Sequence, residues 1–532
     1  MMRNNHIWNK LRSVPGHIWI LGVILLIGVF LRTYNFHEWL RFNNDQARDA
    51  RVVSDVVTGK SGWPLLGPKA GGTEFKLGPI FYYFEIISAK IFGNAPDKMA
   101  YPDLISGILA IPLVFFIFRK YLSTFIALIL AFILAISYYG VHYGRFAWNP
   151  NSMPFWALVF VFASVKIFDA KAKKKYAWAI LTGAAFGVAV QLHTLLLVIL
   201  PIYAVAIFVY AIYRKIPVKK YFVVILAVAF LLNIPQVIDL YHTGGSNVNA
   251  FFAAQKIKRS GNSSMFESAG IALSCTFQAD LQIVSGLGDP DSCTFFTLPY
   301  GDMAQVAGSL VCIAIGLGLT VGGMALLWKK IESETDMNKK NFWIFSAIYG
   351  MLYFLIMIPI AHEIVNKAMR YYLGDVFFAF ILLGLCLEFI HRRSDNKSPV
   401  LSAVILVTAF FTATNISAIR KDFSIFTSTD KGNVSIFTLG EGERMANYIL
   451  NRMDNSHVAV IDGNSKDMFH FFRPLQFLAG ERGLELRRYK SKDYNHSMKL
   501  FLVNFGKNEN VGRDQQIGRF TIVDQSGAAR GN

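Results

Sequence analysis

The chain has 532 residues, of which 54% are hydrophobic and only 17% charged, and its mean hydropathy is +0.39. A soluble protein of this length needs far more charge to cover its surface, so that class is excluded and a polytopic α-helical membrane protein is expected. The formal net charge of +18 collects largely in short loops between apolar runs, which assigns it to membrane topology and not to nucleic-acid binding.

The first apolar run, HIWILGVILLIGVFLRTY from His17, is too long for a signal peptide and has no small-residue cleavage site after it. It is expected as a retained span. Further along, Gly78 to Phe92 is short and carries Glu85 and Lys90 internally. If this segment does not cross, the basic clusters Arg3/Lys10/Arg12, Arg119-Lys120, Lys171 to Lys175, Arg214 to Lys220, Lys329 to Lys340 and Arg392/Arg393/Lys397 all fall on one side. The positive-inside rule makes that side cytoplasmic. About eleven transmembrane helices follow, each suited to a hydrocarbon layer of roughly 30 Å, with the N-terminus inside.

The same parity places the remaining loops outside: 35–100, Tyr139 to Asn151, Asp239 to Asp302 and Ala361 to Met369. A membrane domain over residues 1–419 is then followed by an external tail, 420–532. In the tail, strand-like runs from His457, Leu500 and Arg519 alternate with helix-like GERMANYILNRM and SKDMFHFFRPLQFLAG, which predicts a small extracytoplasmic α/β domain. Cys312 and Cys386 sit in apolar spans as packing residues. Cys275 and Cys293 share the third external loop, where an oxidising compartment permits a disulfide.

The first external loop holds the densest chemistry. DQARDARVVSDVV reads as a short amphipathic helix beside the membrane, with Asn43 or Asn44 as its cap. Asp45 and Asp49 lie four apart on one face, an unfavourable pairing that a site needing an anionic base tolerates if Arg48, Lys76, Arg145 or Arg370 lies opposite. The plain alternative is a solvated helix whose carboxylates face water. Other external loops offer Arg145, Trp148 and Asn149, then Lys367, Arg370 and Tyr371, as phosphate-gripping groups or as ordinary interfacial anchors. No metal-type Cys/His spacing, phosphate-cradling glycine loop or Ser/His/Asp arrangement stands out, so neither metal nor cofactor is expected.

Four segments carry a resemblance: Asp45-Gln46-Ala47-Arg48-Asp49-Ala50, Lys76-Leu77-Gly78-Pro79-Ile80-Phe81-Tyr82-Tyr83, Tyr143-Gly144-Arg145 and Arg370-Tyr371-Tyr372. Together they resemble the GT-C glycosyltransferases, and most of all the bacterial enzymes grouped with protein O-mannosyltransferases and lipid A aminoarabinose transferases. The motif match covers about residues 17 to 170.

The resemblance implies a GT-C-like fold in the inner (plasma) membrane. It also implies transfer of a sugar from a polyprenyl-phosphate donor to an acceptor hydroxyl on the outer face, with inversion. Asp45 matches the family's acidic residue and is implied as the general base, with Asp49 secondary. Lys76 resembles the lysine before a Pro-Pro-Leu segment of the aminoarabinose transferases, one residue further from the aromatics here. With Arg370, Arg145 and Arg48 it is implied in holding the donor phosphate, and Tyr82, Tyr83, Trp148, Asn149 and Tyr371 in binding substrate. Two departures stand out: Gln46 where many relatives have Glu, and Asn149 and Asn151 where some have an acidic residue. Both weaken the case for a metal.

The acceptor, whether glycan, lipid or protein, stays open. A transporter or lipid-glycan flippase is the rival of a different class, although no internal repeat supports it. A polysaccharide ligase or polymerase would place its basic site in the late external loop, Ala361 to Arg370.

Overall fold

The computed structural model describes residues 14–257, 264–288, 293, 303–361, 369–392, 397–427, 436–453, 457–490, 498–506 and 516–525. Apolar runs form helices because hydrocarbon offers no partner to a backbone N–H or C=O, so each must be bonded within its own segment. In chain order the main helices are α1 (Gly16–Thr33), α2 (Asn44–Val57), α3 (Ile80–Phe92), α4 (Tyr101–Phe118), α5 (Thr124–Ile136), α6 (Met153–Phe168), α7 (Lys175–Leu192) and α8 (Thr194–Tyr213). They continue with α9 (Lys219–Leu232), α10 (Ile234–Thr243), α11 (Ser246–Ile257), α12 (Met265–Ser285), α13 (Met303–Ser333), α14 (Met337–Met357), α15 (Val376–Arg392) and α16 (Lys397–Thr427).

Among the described residues seven helices are long and apolar enough to cross a membrane, or eight if the bent pair α9 and α10 is one span. The other segments expected to cross, α5, α6 and α7, are also helical, but α5 and α6 have only 13 and 16 residues.

Loops meet at two ends of the bundle. At one end Tyr121 stacks on Phe342 with centroids 3.7 Å apart, Ala170 N donates to Asn338 Oδ1 and Ser123 Oγ donates to Glu388. At the other, Arg145 donates to Leu31 O and Tyr34 O, Asn149 Nδ2 to Leu192 O and Tyr139 OH to Met369 O.

At this second end α2 and α3 lie side by side. Tyr82 near the start of α3 bonds Asp49, and Asn94 just past its end bonds Ser54, both on α2. A 13-residue helix spans only about 20 Å, and with both its ends tied to α2 it does not cross the bundle. Its N-terminus is fixed by Gln191 of α7, whose Oε1 accepts from Ile80 N at 3.2 Å. Gly78 makes this approach possible, since a Cβ there would sit 2.3 Å from the same oxygen.

Two features differ from the sequence expectation. The segment 239–302, expected as a plain loop, contains α12, which packs against α13, α14, α15 and α16. Gln278, Asp280 and Gln282 interrupt its apolar pattern, so hydropathy misses it, yet all three are buried and Thr320 donates to Asp280. A disulfide joins Cys275 on α12 to Cys293. In addition, α16 runs through the expected boundary at 419/420 to Thr427.

The C-terminal unit contains α17 (Leu439–Leu450), α18 (Ser465–Gly480) and the strands β1 (Val458–Asp462), β2 (Glu485–Arg488), β3 (Lys499–Phe505), β4 (Gln516–Ile517) and β5 (Phe520–Asp524). The sheet order is β2-β1-β3-β5-β4, with β1 parallel to β2 and β3, and β5 antiparallel to β3 and β4. Thr438 and Glu441 form a capping box at the start of α17, and Glu441 also holds the buried Arg519 at 2.6 Å.

This unit docks on α2. Phe42 N donates to Phe437 O, Phe437 N to Asn43 Oδ1 and Asn44 Nδ2 to Phe469 O. The juxtamembrane helix is thus held between the bundle and the sheet domain.

Candidate active site

Helix α2 starts at a capping box in which Asn43 N donates to Gln46 Oε1. The glutamine also donates to Ala147 O, so it ties the first turn of α2 to the loop before α6. Asp45 then faces outward with its side chain 57% exposed, whereas Asp49 is buried at 2%. Arg48 joins the two, donating to Asp45 Oδ1 at 3.0 Å and to both oxygens of Asp49 at 2.9 Å. The like charges at i and i+4 are therefore compensated by the residue between them.

Burial raises the Asp49 carboxyl, and the bonds from Arg48 and from Tyr82 OH, the latter at 2.7 Å, oppose that shift. Partial burial alone would lower the Arg48 guanidinium, but its bonds to Asp49 and its attraction to Asp45 outweigh it, so Arg48 stays charged. Tyr82 is raised by burial and by Asp49, and remains a neutral donor.

Asp45 and Arg48 line a cavity of about 400 Å³ whose other walls come from the loop Lys69 to Leu77, from Trp148 and Asn149, from His193 and Thr194, from Phe251 and Ala254, and from Arg370 and Tyr371. Arg370 lies 5.9 Å over the Trp148 ring and 5.4 Å over that of Tyr371. No carboxylate pairs with Arg370 among the described residues. The loop is a narrow turn held by Ala70 N to Phe75 O, and it is pinned where Asn247 bonds both the N–H and the C=O of Lys76. Lys69 and Glu74, paired at 2.5 Å, face the cavity.

The expected residues divide accordingly. Asp45, Arg48, Trp148, Asn149, Arg370 and Tyr371 come together around the cavity, although their loops are far apart in sequence. Asp49 and Tyr82 sit behind α2 and orient Arg48. Tyr83 points away and donates to Pro64 O, packed edge-on against Trp63. Lys76 is exposed and outside the lining. Arg145 is buried and committed to the carbonyls at the end of α1, and burial lowers its guanidinium to about 10. Lys367 lies outside the described residues.

Sequence reasoning misses Lys69 and Glu74, which belong to no recognisable motif. It also misses His193 and Thr194, because the break between α7 and α8 is one residue long.

A family model described as dolichyl-phosphate-mannose-protein mannosyltransferase matches residues 76–238. The fold is similar to the crystal structure of ArnT from Cupriavidus metallidurans in the apo state, with a TM-score of 0.55 and 12% identity over 95% of this chain and 97% of that one. It is also similar to the crystal structure of ArnT from Cupriavidus metallidurans bound to undecaprenyl phosphate, with a TM-score of 0.52 and 13% identity over 98% of each chain. No curated protein sequence matches. From the first span to the C-terminal sheet, the chain has the fold of the GT-C membrane glycosyltransferases.

Proposed function

We propose that the protein is a membrane glycosyltransferase that moves a sugar from a polyprenyl-phosphate carrier to an acceptor hydroxyl, with inversion at the anomeric carbon. The observation that carries this reading is the cavity in which an exposed carboxylate, Asp45, shares walls with Arg48, Lys69 and Arg370. The reaction makes the same demands. The acceptor oxygen bonds to the anomeric carbon as the bond to the phosphate oxygen breaks, the hydroxyl proton passes to a base, and a lipid monophosphate leaves with growing negative charge. Asp45 takes the proton, and Arg370, Arg48 and Lys69 stabilise the phosphate. Arg48 has a second part in this scheme: a phosphate competing for its guanidinium weakens its hold on Asp45 and frees that carboxylate's oxygens to face the acceptor hydroxyl.

The undecaprenyl phosphate bound in the ArnT structure supports a donor of this kind. In our reading the site faces the extracytoplasmic side, the N-terminus is cytoplasmic and the sheet domain is external. A lipid-linked donor accounts for a sugar-transferring enzyme built into a bilayer.

The test is mass spectrometry of lipids that co-purify with the full-length protein, together with transfer of label from the sugar lipid so identified. A polyprenyl-phosphate sugar consumed by wild type and spared by Asp45→Asn is the expected result. A diphosphate-linked glycan as the consumed donor would favour a ligase or polymerase.

A further inference from the structure

Asp45 borders a second cavity. This one, of about 350 Å³, has Arg41, His142, Phe469 and His470 in its walls and shares Asp45 and Arg370 with the first. Its floor is the membrane bundle and one wall is α18 of the C-terminal domain, tied in place by Asn44 Nδ2 to Phe469 O at 2.6 Å. The division between the cavities has a chemical consequence. In an inverting displacement the nucleophile and the leaving group lie on opposite faces of the anomeric carbon, so acceptor and lipid phosphate need separate approaches to that carbon, with the base on the acceptor's side. The first cavity adds Arg48 and Lys69 to the shared Arg370, with Glu74 as the partner of Lys69, and this group of three cations suits the phosphate.

Beyond Asp45 and Arg370, which it shares with the first, the second cavity holds one cation, and that one is already paired. Arg41 is paired with Asp422 at 2.7 Å and contacts His142 Nε2 at 2.9 Å. What remains is a wall of aromatic faces and imidazoles. Trp148 stacks against both Tyr143 and Phe146, and Phe469 stands 63% exposed beside His470. Rings of this kind pack on the C–H faces of a sugar, and an imidazole such as that of His470 bonds its hydroxyls, whereas the nitrogens of His142 are taken by Arg41 and Tyr138.

We propose that this second cavity is the acceptor subsite, that its occupant is a saccharide unit stacked on its rings, and that the C-terminal domain contributes Phe469 and His470 to its recognition. The sheet domain is then part of the substrate site, which explains why it is anchored on the helix that carries Asp45. The proposal rests on the donor reading above.

It is tested with full-length protein in phospholipid nanodiscs, comparing wild type with Phe469→Ala and His470→Ala. Both side chains are at least partly exposed, so neither change removes core packing. Two quantities are measured. One is the affinity for undecaprenyl phosphate. The other is the half-saturating concentration of a glycan and glycolipid extract, with and without protease treatment, in transfer from the co-purified sugar lipid.

The expected result is lipid-phosphate affinity within about twofold of wild type, an acceptor requirement raised by about tenfold or more, and no effect of protease. Three outcomes overturn the assignment while leaving the donor reading intact: wild-type acceptor saturation in both variants, an equal loss of undecaprenyl phosphate binding, or destruction of acceptor capacity by protease, which would make the acceptor a polypeptide. Failure of the wild-type protein to bind undecaprenyl phosphate overturns both.

Discussion

Arg48 and Asp49 form a two-point ion pair, Nε to Oδ1 and Nη2 to Oδ2, each 2.9 Å, with the carboxylate buried against Tyr82. The pair fixes the direction of a cation that lines the cavity, so its integrity links the stability of α2 to the geometry of the site. Asp49→Asn is expected to cost about 1 to 3 kcal/mol by weakening two charge-assisted bonds, and to slow transfer by about tenfold through a misplaced Arg48. Thermal unfolding and steady-state transfer check this together. An unchanged melting temperature with abolished transfer would instead give Asp49 a direct chemical part.

Asp45→Asn keeps the size and the hydrogen bonding of the side chain but cannot accept a proton at neutral pH. Transfer should fall by about a hundredfold to ten-thousandfold, the usual contribution of a general base, while undecaprenyl phosphate still binds. Near-wild-type transfer by this variant would remove Asp45 from the chemistry.

Two lysines on one loop separate the cavity from its outer surface. Lys69 lines the cavity, while Lys76 is exposed outside the lining with its backbone held by Asn247. Lys69→Ala and Arg370→Ala should each weaken undecaprenyl phosphate binding by about tenfold, equivalent to about 1.4 kcal/mol, and Lys76→Ala by less than about twofold. Equal losses at Lys69 and Lys76, measured by titration at constant salt, would move the phosphate toward the outer face of the loop.

Glu85 on α3 is buried, with no hydrogen-bond partner for Oε2 among the described residues. Burial, reinforced by Asp49 and Asp103, pushes its carboxyl well above the usual range. Because the folded-state value exceeds the unfolded one, about 4.3, stability is full below that pH and is lost as pH rises toward the folded value. Glu85→Gln should therefore gain melting temperature over wild type as pH is raised from 5 to 8, on the order of a few degrees, and match it near pH 4. A variant whose deficit or gain is the same at every pH would show that Glu85 does not titrate between the two states.

The Cys275 to Cys293 bridge closes a segment with a sequence separation of 18. Constraining a loop of that size in the unfolded chain stabilises by about 3 kcal/mol, so Cys293→Ser should lower the melting temperature without altering undecaprenyl phosphate binding. Thiol labelling of unreduced protein at Cys275 or Cys293 would show that the bridge does not form.

The sequence by itself determined the membrane class, and it led to the expectation that Gly78 to Phe92 does not cross. Each of these depends on local quantities, the length of an apolar run and the charge at its flanks. The two helices and three of the strands of the C-terminal domain were legible for the same reason, since their periodicities are local. Helix α12 was not. Its buried Gln278, Asp280 and Gln282 read as loop residues until α13 and its neighbours supply the packing that accepts them.

The site divides in the same way. Asp45 and Asp49 were visible as an i, i+4 pair on one helix with Arg48 as one possible counter-charge, and a resemblance pointed to Arg370. Only the tertiary structure decided that Arg145 is used up on the carbonyls at the end of α1, that Lys69 and not Lys76 lines the cavity, and that Phe469 and His470 close a second cavity at Asp45. The physical reason is that a cation's function depends on which partners lie within about 3 Å of it. Those partners come from loops that meet only once the bundle and the sheet domain have packed around α2.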